Sequence, residues 1–387
     1  MRTALAVLAA GLLVQAAHAF VPIEGAAMPE CRALRVVLVH ENGRERLILQ
    51  ARYVGDGAAF TYVVPVPTPV AAGSVRLADS DALATIDDYT SPRIIRYIED
   101  EQPGCVCANL DAIMPTGDTE VIADPPLWES TTEDGYGIRA LSDVESSAIG
   151  ETLASLRYEP TMNDRSALEA YAGEGWRFVL VEVTPDDAFA GAPHQEEGGG
   201  YDLLLHAVEV SFDSPTAVLP LRGLLGGNAA CDVVLLGVMA NRAGPSGHTT
   251  VDMDTAGLQD ADDPAQAYTE RLASLIGPED DPAWVTEYAE TLRYDLAGAL
   301  DLTQSRMRWL TRLRTSARAD AAGRDLQLVS SPSNDRLTIV LYVPLVRRAY
   351  AAVPILLGGG IGAAIGGPGR RRRCGVLAAL LALVALA

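Results

Sequence analysis

The run Asp252-x-Asp254-x-x-Gly257-x-x-Asp260-x-x-Asp263 spaces four carboxylates and a glycine as a calcium loop does. Counted from Asp252, the acids fall at positions 1, 3, 9 and 12 and the glycine at 6. Hard oxygen ligands at those positions can wrap one cation while glycine permits the sharp turn. Position 5, however, is Ala256, which offers no side-chain oxygen, and position 8 is Gln259. A solvated acidic loop is therefore the competing reading, and calcium is the one cofactor the sequence suggests.

Other chemistry is harder to assemble. Gly244-Pro245-Ser246-Gly247-His248 superficially resembles a serine-hydrolase elbow, but an elbow needs glycine where His248 stands and a helix directly after the turn. His40, His194, His206 and His248 fall in no metal or protease motif; His206 reads as a satisfied residue within a strand. His194 and Glu196 sit in a glycine-rich acidic loop without a second ligand pair. The chain has no lysine, so a phosphate-loop lysine, a Schiff base and a Ser–Lys pair are all excluded. No catalytic residue is assigned, and no carboxylate pair can be placed across a cleft from sequence.

The ends of the chain say where it works. Residues 1–19 read as a signal peptide: Arg2 supplies the positive start, an apolar run follows, and Ala17-His18-Ala19 is a small-x-small cleavage site leaving Phe20 first. Ala349–Gly369 is uncharged over 21 residues and precedes Arg370–Arg373, the pattern of a transmembrane helix with its cytoplasmic flank. Gly358, Gly362 and Gly366 share one face at a spacing that lets two helices approach, so a homodimer is one expected partnership. The 370–387 segment is the arginine run and an apolar tail. An exported, membrane-anchored body follows, with the membrane as one partner and an envelope protein as another. Residues 20–369 carry 25 arginines against 51 acids, a net charge of −26, which disfavours nucleic acid.

Cysteine usage fits an oxidising compartment. Cys31, Cys105, Cys107 and Cys231 make an even number, and Cys105 and Cys107 are too close to pair comfortably with each other. Each is expected to reach Cys31 or Cys231 if two disulfides form.

The elements that must hold these residues are mainly strands. Ala33–Val39 and Arg44–Tyr53 flank Asn42-Gly43, a hairpin-turn signal. Ala59–Val66 ends in prolines, so that strand ends or lies at an edge. Asp79–Tyr89, Ser91–Glu99, Asp143–Leu156 and Asp164–Tyr171 read as helices, and Gly175–Val183, Tyr201–Asp213 and Asp232–Met239 as strands. Pro264–Ile276 and Pro282–Leu300 have helical periodicity, Arg306–Arg314 is a basic amphipathic patch, and Arg336–Val343 is a last strand. The expected fold class is α+β: a mainly antiparallel sheet with peripheral helices over 20–245, then a helical region over 246–348, then the membrane segment.

The order of several short pieces resembles a bacterial family, that of domain of unknown function 2330. They are Phe60-Thr61-Tyr62-Val63-Val64-Pro65-Val66-Pro67, Ser91-Pro92-Arg93, Gly135-Tyr136-Gly137-Ile138, Gly175-Trp176-Arg177-Phe178, Leu219-Pro220-Leu221-Arg222, and Leu310-Thr311-Arg312-Leu313-Arg314-Thr315 before Asp325-Leu326. The mature N-terminus departs from the family, with Phe20-Val21-Pro22-Ile23 where a cysteine-glycine start is usual. The resemblance implies an exported, membrane-tethered envelope protein and transfers no catalytic residue. The expected function is a non-catalytic binding or assembly module; the alternative is an exported hydrolase acting on an envelope polymer.

Overall fold

Asn42 and Gly43 take φ angles of 55° and 73° in the computed structural model, the paired positive values a two-residue hairpin turn needs. They join β2 (Glu30–Glu41) to β3 (Arg44–Gly55), the centre of the larger sheet. The structure describes residues 20–71, 73–97, 119–121, 135–184, 200–225, 230–278, 282–302, 307–317 and 325–344. The signal segment, Cys105 and Cys107, residues 194–199, Arg306 and residues 349–387 lie outside them. The chain divides into two units, Met1–Ile95 with Thr119–Tyr342, and Arg96–Asp118 with Val343–Ala387. Both large sheets belong to the first. No helix among the described residues is long and apolar enough to cross a membrane.

A ten-stranded sheet runs in the order β15 (Thr250–Asp252), β16 (Trp284–Thr291), β17 (Trp309–Ala317), β13 (Cys231–Met239), β2, β3, β11 (Val208–Asp213) and β5 (Val75–Leu77). In it β10 (Tyr201–Leu204) also pairs with β3, and β19 (Leu337–Thr338) with β16. Pairing is antiparallel except between β2 and β13 and between β15 and β16. A second sheet is ordered β1 (Phe20–Pro22), β4 (Phe60–Val66), β9 (Arg177–Val183) and β8 (Tyr136–Ala140). Leu34, Val36 and Leu38 of the first meet Tyr62, Val64 and Val181 of the second in the main core. A small sheet of β12 (Ala217–Leu219), β18 (Leu326–Ser330) and β14 (Ala243–Pro245) adds to that core. Elsewhere β6 (Arg93–Tyr97) pairs with β7 (Thr119–Val121), and β20 (Val340–Pro344) is the last described strand.

Helices cover the outward faces of both sheets. Leu153 of α3 (Ile149–Ser155), which follows α2 (Asp143–Ser147), packs with Leu168 and Tyr171 of α4 (Met162–Gly173) against Val63, Phe178 and Leu180. Leu83 and Ile86 of α1 (Ser80–Thr90) join Val37, Val39, Leu236 and Leu310 on the other side of the molecule. Pro65 lies beyond the end of β1's pairing with β4, so its missing N–H leaves no ladder bond unmade on that edge among the described residues. A Cβ on Gly223, in α5 (Leu221–Leu224), would stand 2.6 Å from the Pro65 ring, so glycine there permits the close approach.

The second half corrects the expected helical region. Pro264–Ile276 is indeed a helix, α6, but Pro282–Leu300 opens as strand β16 and only then forms α7 (Tyr294–Ala299). The reason is a bulge between Thr286 and Tyr288, which shifts the alternation so that Trp284, Val285, Tyr288 and Ala289 mimic helical spacing. From Trp309 onward the arginine patch is likewise a strand, β17, buried on both faces. Ser91 does not open a helix: its N–H donates to the Asp87 carbonyl, ending α1, and β-branched Ile94 and Ile95 continue as β6. The strand expected over Tyr201–Asp213 breaks into β10 and β11.

Candidate functional site

A cleft of about 460 Å³ opens between the ten-stranded sheet and the helices α1 and α7. Its floor is Arg46 and Ile48 on β3, Glu209 on β11 and Arg76 on β5; the register sets Glu209 beside both Ile48 and Arg76. The walls are Asp79, Asp81, Ala82 and Leu83 at the start of α1 and Ala299, Leu300 and Asp301 at the end of α7. The Glu209 carboxylate accepts from Arg76 Nη2 at 3.1 Å and lies 3.9 Å from Arg46 Nη1. Arg46 also donates to the Leu300 carbonyl, satisfying a helix C-terminus. Burial lowers the Arg46 pKa while Glu209 and Asp301 pull it back; the Glu209 hydrogen bond raises that of Arg76.

His206 closes one side of the cleft. It sits in the break between β10 and β11, where its backbone N–H donates to the Tyr136 hydroxyl at 3.2 Å and its ring meets Tyr136 edge-on. Its Nε2 is shielded and has no hydrogen-bond partner among the described residues, which corrects the reading of a satisfied strand histidine. Among the described residues, the cleft lining contains no serine, threonine or cysteine.

Behind the cleft, α1 is held by buried charge. Leu83, Ile86, Asp87 and Thr90 form one helical stripe, and Asp87 points from it into the sheet. Arg312 of β17 pairs with Asp87 and, at 2.7 Å, with Glu287 on the β16 bulge; Arg35 of β2 reaches Asp87 at 2.5 Å. Tyr268 of α6 donates to Glu287. Burial pushes the Asp87 carboxyl up, but Arg312 and Arg35 outweigh it and hold it below the usual carboxylate range. Arg312 is raised in turn: burial lowers it, and Asp87 and Glu287 more than compensate. These arginines answer acids of the same fold, as their place in an acidic chain suggests.

One buried acid has no such partner. Glu45 on β3 is fully buried; its Oε2 accepts from the Val218 N–H at 2.8 Å, whereas Oε1 has no partner among the described residues. Burial pushes its pKa up to about 8, with the Val218 bond pulling the other way, so the carboxyl is mostly neutral at pH 7.

The residues proposed for calcium do separate work. Asp252 pairs with buried Arg242, and Asp254 accepts from the Ala256 N–H at 2.9 Å and pairs with Arg271 at 3.4 Å. Asp260 closes a short 3-10 turn, and Asp263 caps α6 by accepting from the N–H groups of Ala265 and Gln266. No group of three metal-ligating side chains converges among the described residues. Asp263→Ala is therefore expected to cost about 1 kcal/mol of stability, read by urea titration; no loss would remove the capping role. Ser246 donates its backbone N–H to the Gln327 carbonyl and is followed by β15, so no nucleophile elbow forms. Cys31 and Cys231 face each other as buried thiols; Cys105 and Cys107, each expected to reach one of them, lie outside the described residues.

Two facing sheets with outer helices and a polar cleft define a mostly antiparallel α+β protein that spends much of its charge inside its own fold. The chain belongs to the bacterial family DUF2330, described as uncharacterized protein conserved in bacteria, whose model matches residues 16–327. Among solved structures it is similar to the crystal structure of baculovirus P35, at 10% identity and a TM-score of 0.32 over 79% of this chain and 98% of that one. A mutated baculovirus P35 after caspase cleavage matches at 10% identity and a TM-score of 0.28, over 77% and 100%. No curated protein matches.

Proposed function

We propose that this chain is an exported, membrane-anchored module of the bacterial envelope that binds a partner and does not transform a substrate. The observation that supports binding over catalysis is the cleft lining. Glu209 is shared between Arg46 and Arg76, and among the described residues of the lining His206 has no serine, threonine or cysteine to activate, whereas nucleophilic catalysis needs nucleophile and base within hydrogen-bond reach. Asp81 and Asp301 add carboxylates, which suit a partner surface carrying cationic groups. Residues 349–369 supply the anchor, and the Gly358, Gly362 and Gly366 face supplies a homodimer contact. Nucleic acid is no partner of so acidic a body.

The test places a photo-crosslinking residue at Arg76 in the anchored chain, with a control at Met162, which is exposed on α4. Irradiation in the native envelope is expected to give a discrete protein adduct from position 76 and none from 162. Equal labelling at both positions, or release of polymer fragments by the purified protein, overturns the binding reading. Protease added outside spheroplasts should digest the body; a protected body removes export.

A further inference from the structure

We infer that Cys31 and Cys231 close a disulfide joining β2 to β13, formed by exchange with a disulfide oxidant. Both side chains are buried in the main core, and their Sγ atoms stand 3.8 Å apart. The register puts them there. β2 and β13 run parallel with Asp232 beside Ala33, so strict alternation would turn Cys31 to the opposite face from Cys231. A bulge between Cys31 and Ala33 absorbs one residue: Arg32 swings out to solvent, and Cys31 pairs with Tyr53 on the core face, against Cys231. The break in alternation thus serves the thiol pair. A bond of about 2.05 Å lies within reach of side-chain rotation from this separation.

The exchange balances with one named co-reactant. A thiolate of the pair attacks one sulfur of the oxidant's disulfide and expels its partner sulfur as a thiol; the second cysteine then attacks the mixed disulfide. Two electrons and two protons pass to the oxidant, one S–S bond forms and one breaks. In the folded state the hydrogen bond to Cys31 and burial push the Cys231 thiol well up. Exchange therefore takes place while the chain folds, before the core shuts. In the cell the oxidant comes from an extracytoplasmic compartment, so this part rests on the export reading above.

The full chain is unfolded, refolded in a glutathione redox buffer, trapped with N-ethylmaleimide and mapped by mass spectrometry without reductant. The expected dominant product links the Cys31 peptide to the Cys231 peptide. Alkylation of both cysteines, or links from either to Cys105 or Cys107, overturns the assignment. Dithiothreitol should lower the wild-type Tm by about 5 °C or more and leave the Cys31→Ala, Cys231→Ala variant unchanged; equal shifts count against the bond. The same map is made of chain recovered from its own cells. A link formed in glutathione but absent there leaves the pairing standing and sinks the export reading.

Discussion

Arg312→Leu is expected to lower the unfolding free energy by about 3–5 kcal/mol, a large share of the ~5–15 kcal/mol typical of a folded domain. The reason is what stays behind. Asp87 retains only Arg35, and Glu287, wholly buried, retains only the Tyr268 hydroxyl among the contacts described. Both are charges in an interior that solvates them poorly, and α1 is tied to the sheet through one of them. Two controls separate lost charge from lost packing. Arg76→Leu, at a half-exposed ion pair, should cost no more than about 1 kcal/mol. Adding Asp87→Asn and Glu287→Gln to Arg312→Leu should recover part of the loss, because neutral amides tolerate burial better than orphaned carboxylates. Urea titration at constant m reads all three, and an Arg312→Leu variant as stable as wild type would falsify the account.

Glu45→Gln should change how stability depends on pH more than any exposed acid does. The folded carboxyl titrates near 8 and the unfolded one near 4.5, so between these values the folded state holds a proton that the unfolded state has released. Folding stability consequently falls as pH rises through that window, by at most about 1.4 kcal/mol per pH unit. Glutamine keeps the acceptor for the Val218 N–H and cannot ionise. The variant should match wild type below pH 4.5 and exceed it by several kcal/mol near pH 8. Thermal melts of both proteins across pH 4–9 decide the matter: parallel profiles would mean Glu45 ionises freely in the fold.

Local signals in this sequence were legible and long-range ones were not. The Asn42-Gly43 turn, the helix read over Asp79–Tyr89 and the extent of α6 depend on neighbours within a few residues; the turn and α6 emerge as read and α1 lies one residue further along, with Asp79 as its cap. The β16 strand was misread because its bulge gives buried positions helical spacing. Asp87 carried a usable hint, an acid on the same stripe as Leu83, Ile86 and Thr90. Its partners on β17 and β2 lie 225 residues ahead and 52 behind, where no local pattern reports them. The cleft is similar: Arg46, Arg76, His206 and Glu209 meet only because β3, β5 and β11 are hydrogen-bonded neighbours. In the loop, Asp252, Asp254 and Asp263 each meet a donor of the fold, Arg242, the Ala256 N–H with Arg271, and the first turn of α6.

The parallel seam between β2 and β13 also dictates a schedule. A chain that emerges from its N-terminus completes the β2–β3 hairpin early, but β2's second edge waits for a partner about 200 residues later, and β17 follows only after that. Until then Val36, Val37, Leu38 and Val39 present an unpaired apolar edge, the kind that recruits other chains. Shielding of this first hairpin while the rest of the chain emerges is therefore expected to raise the folded yield.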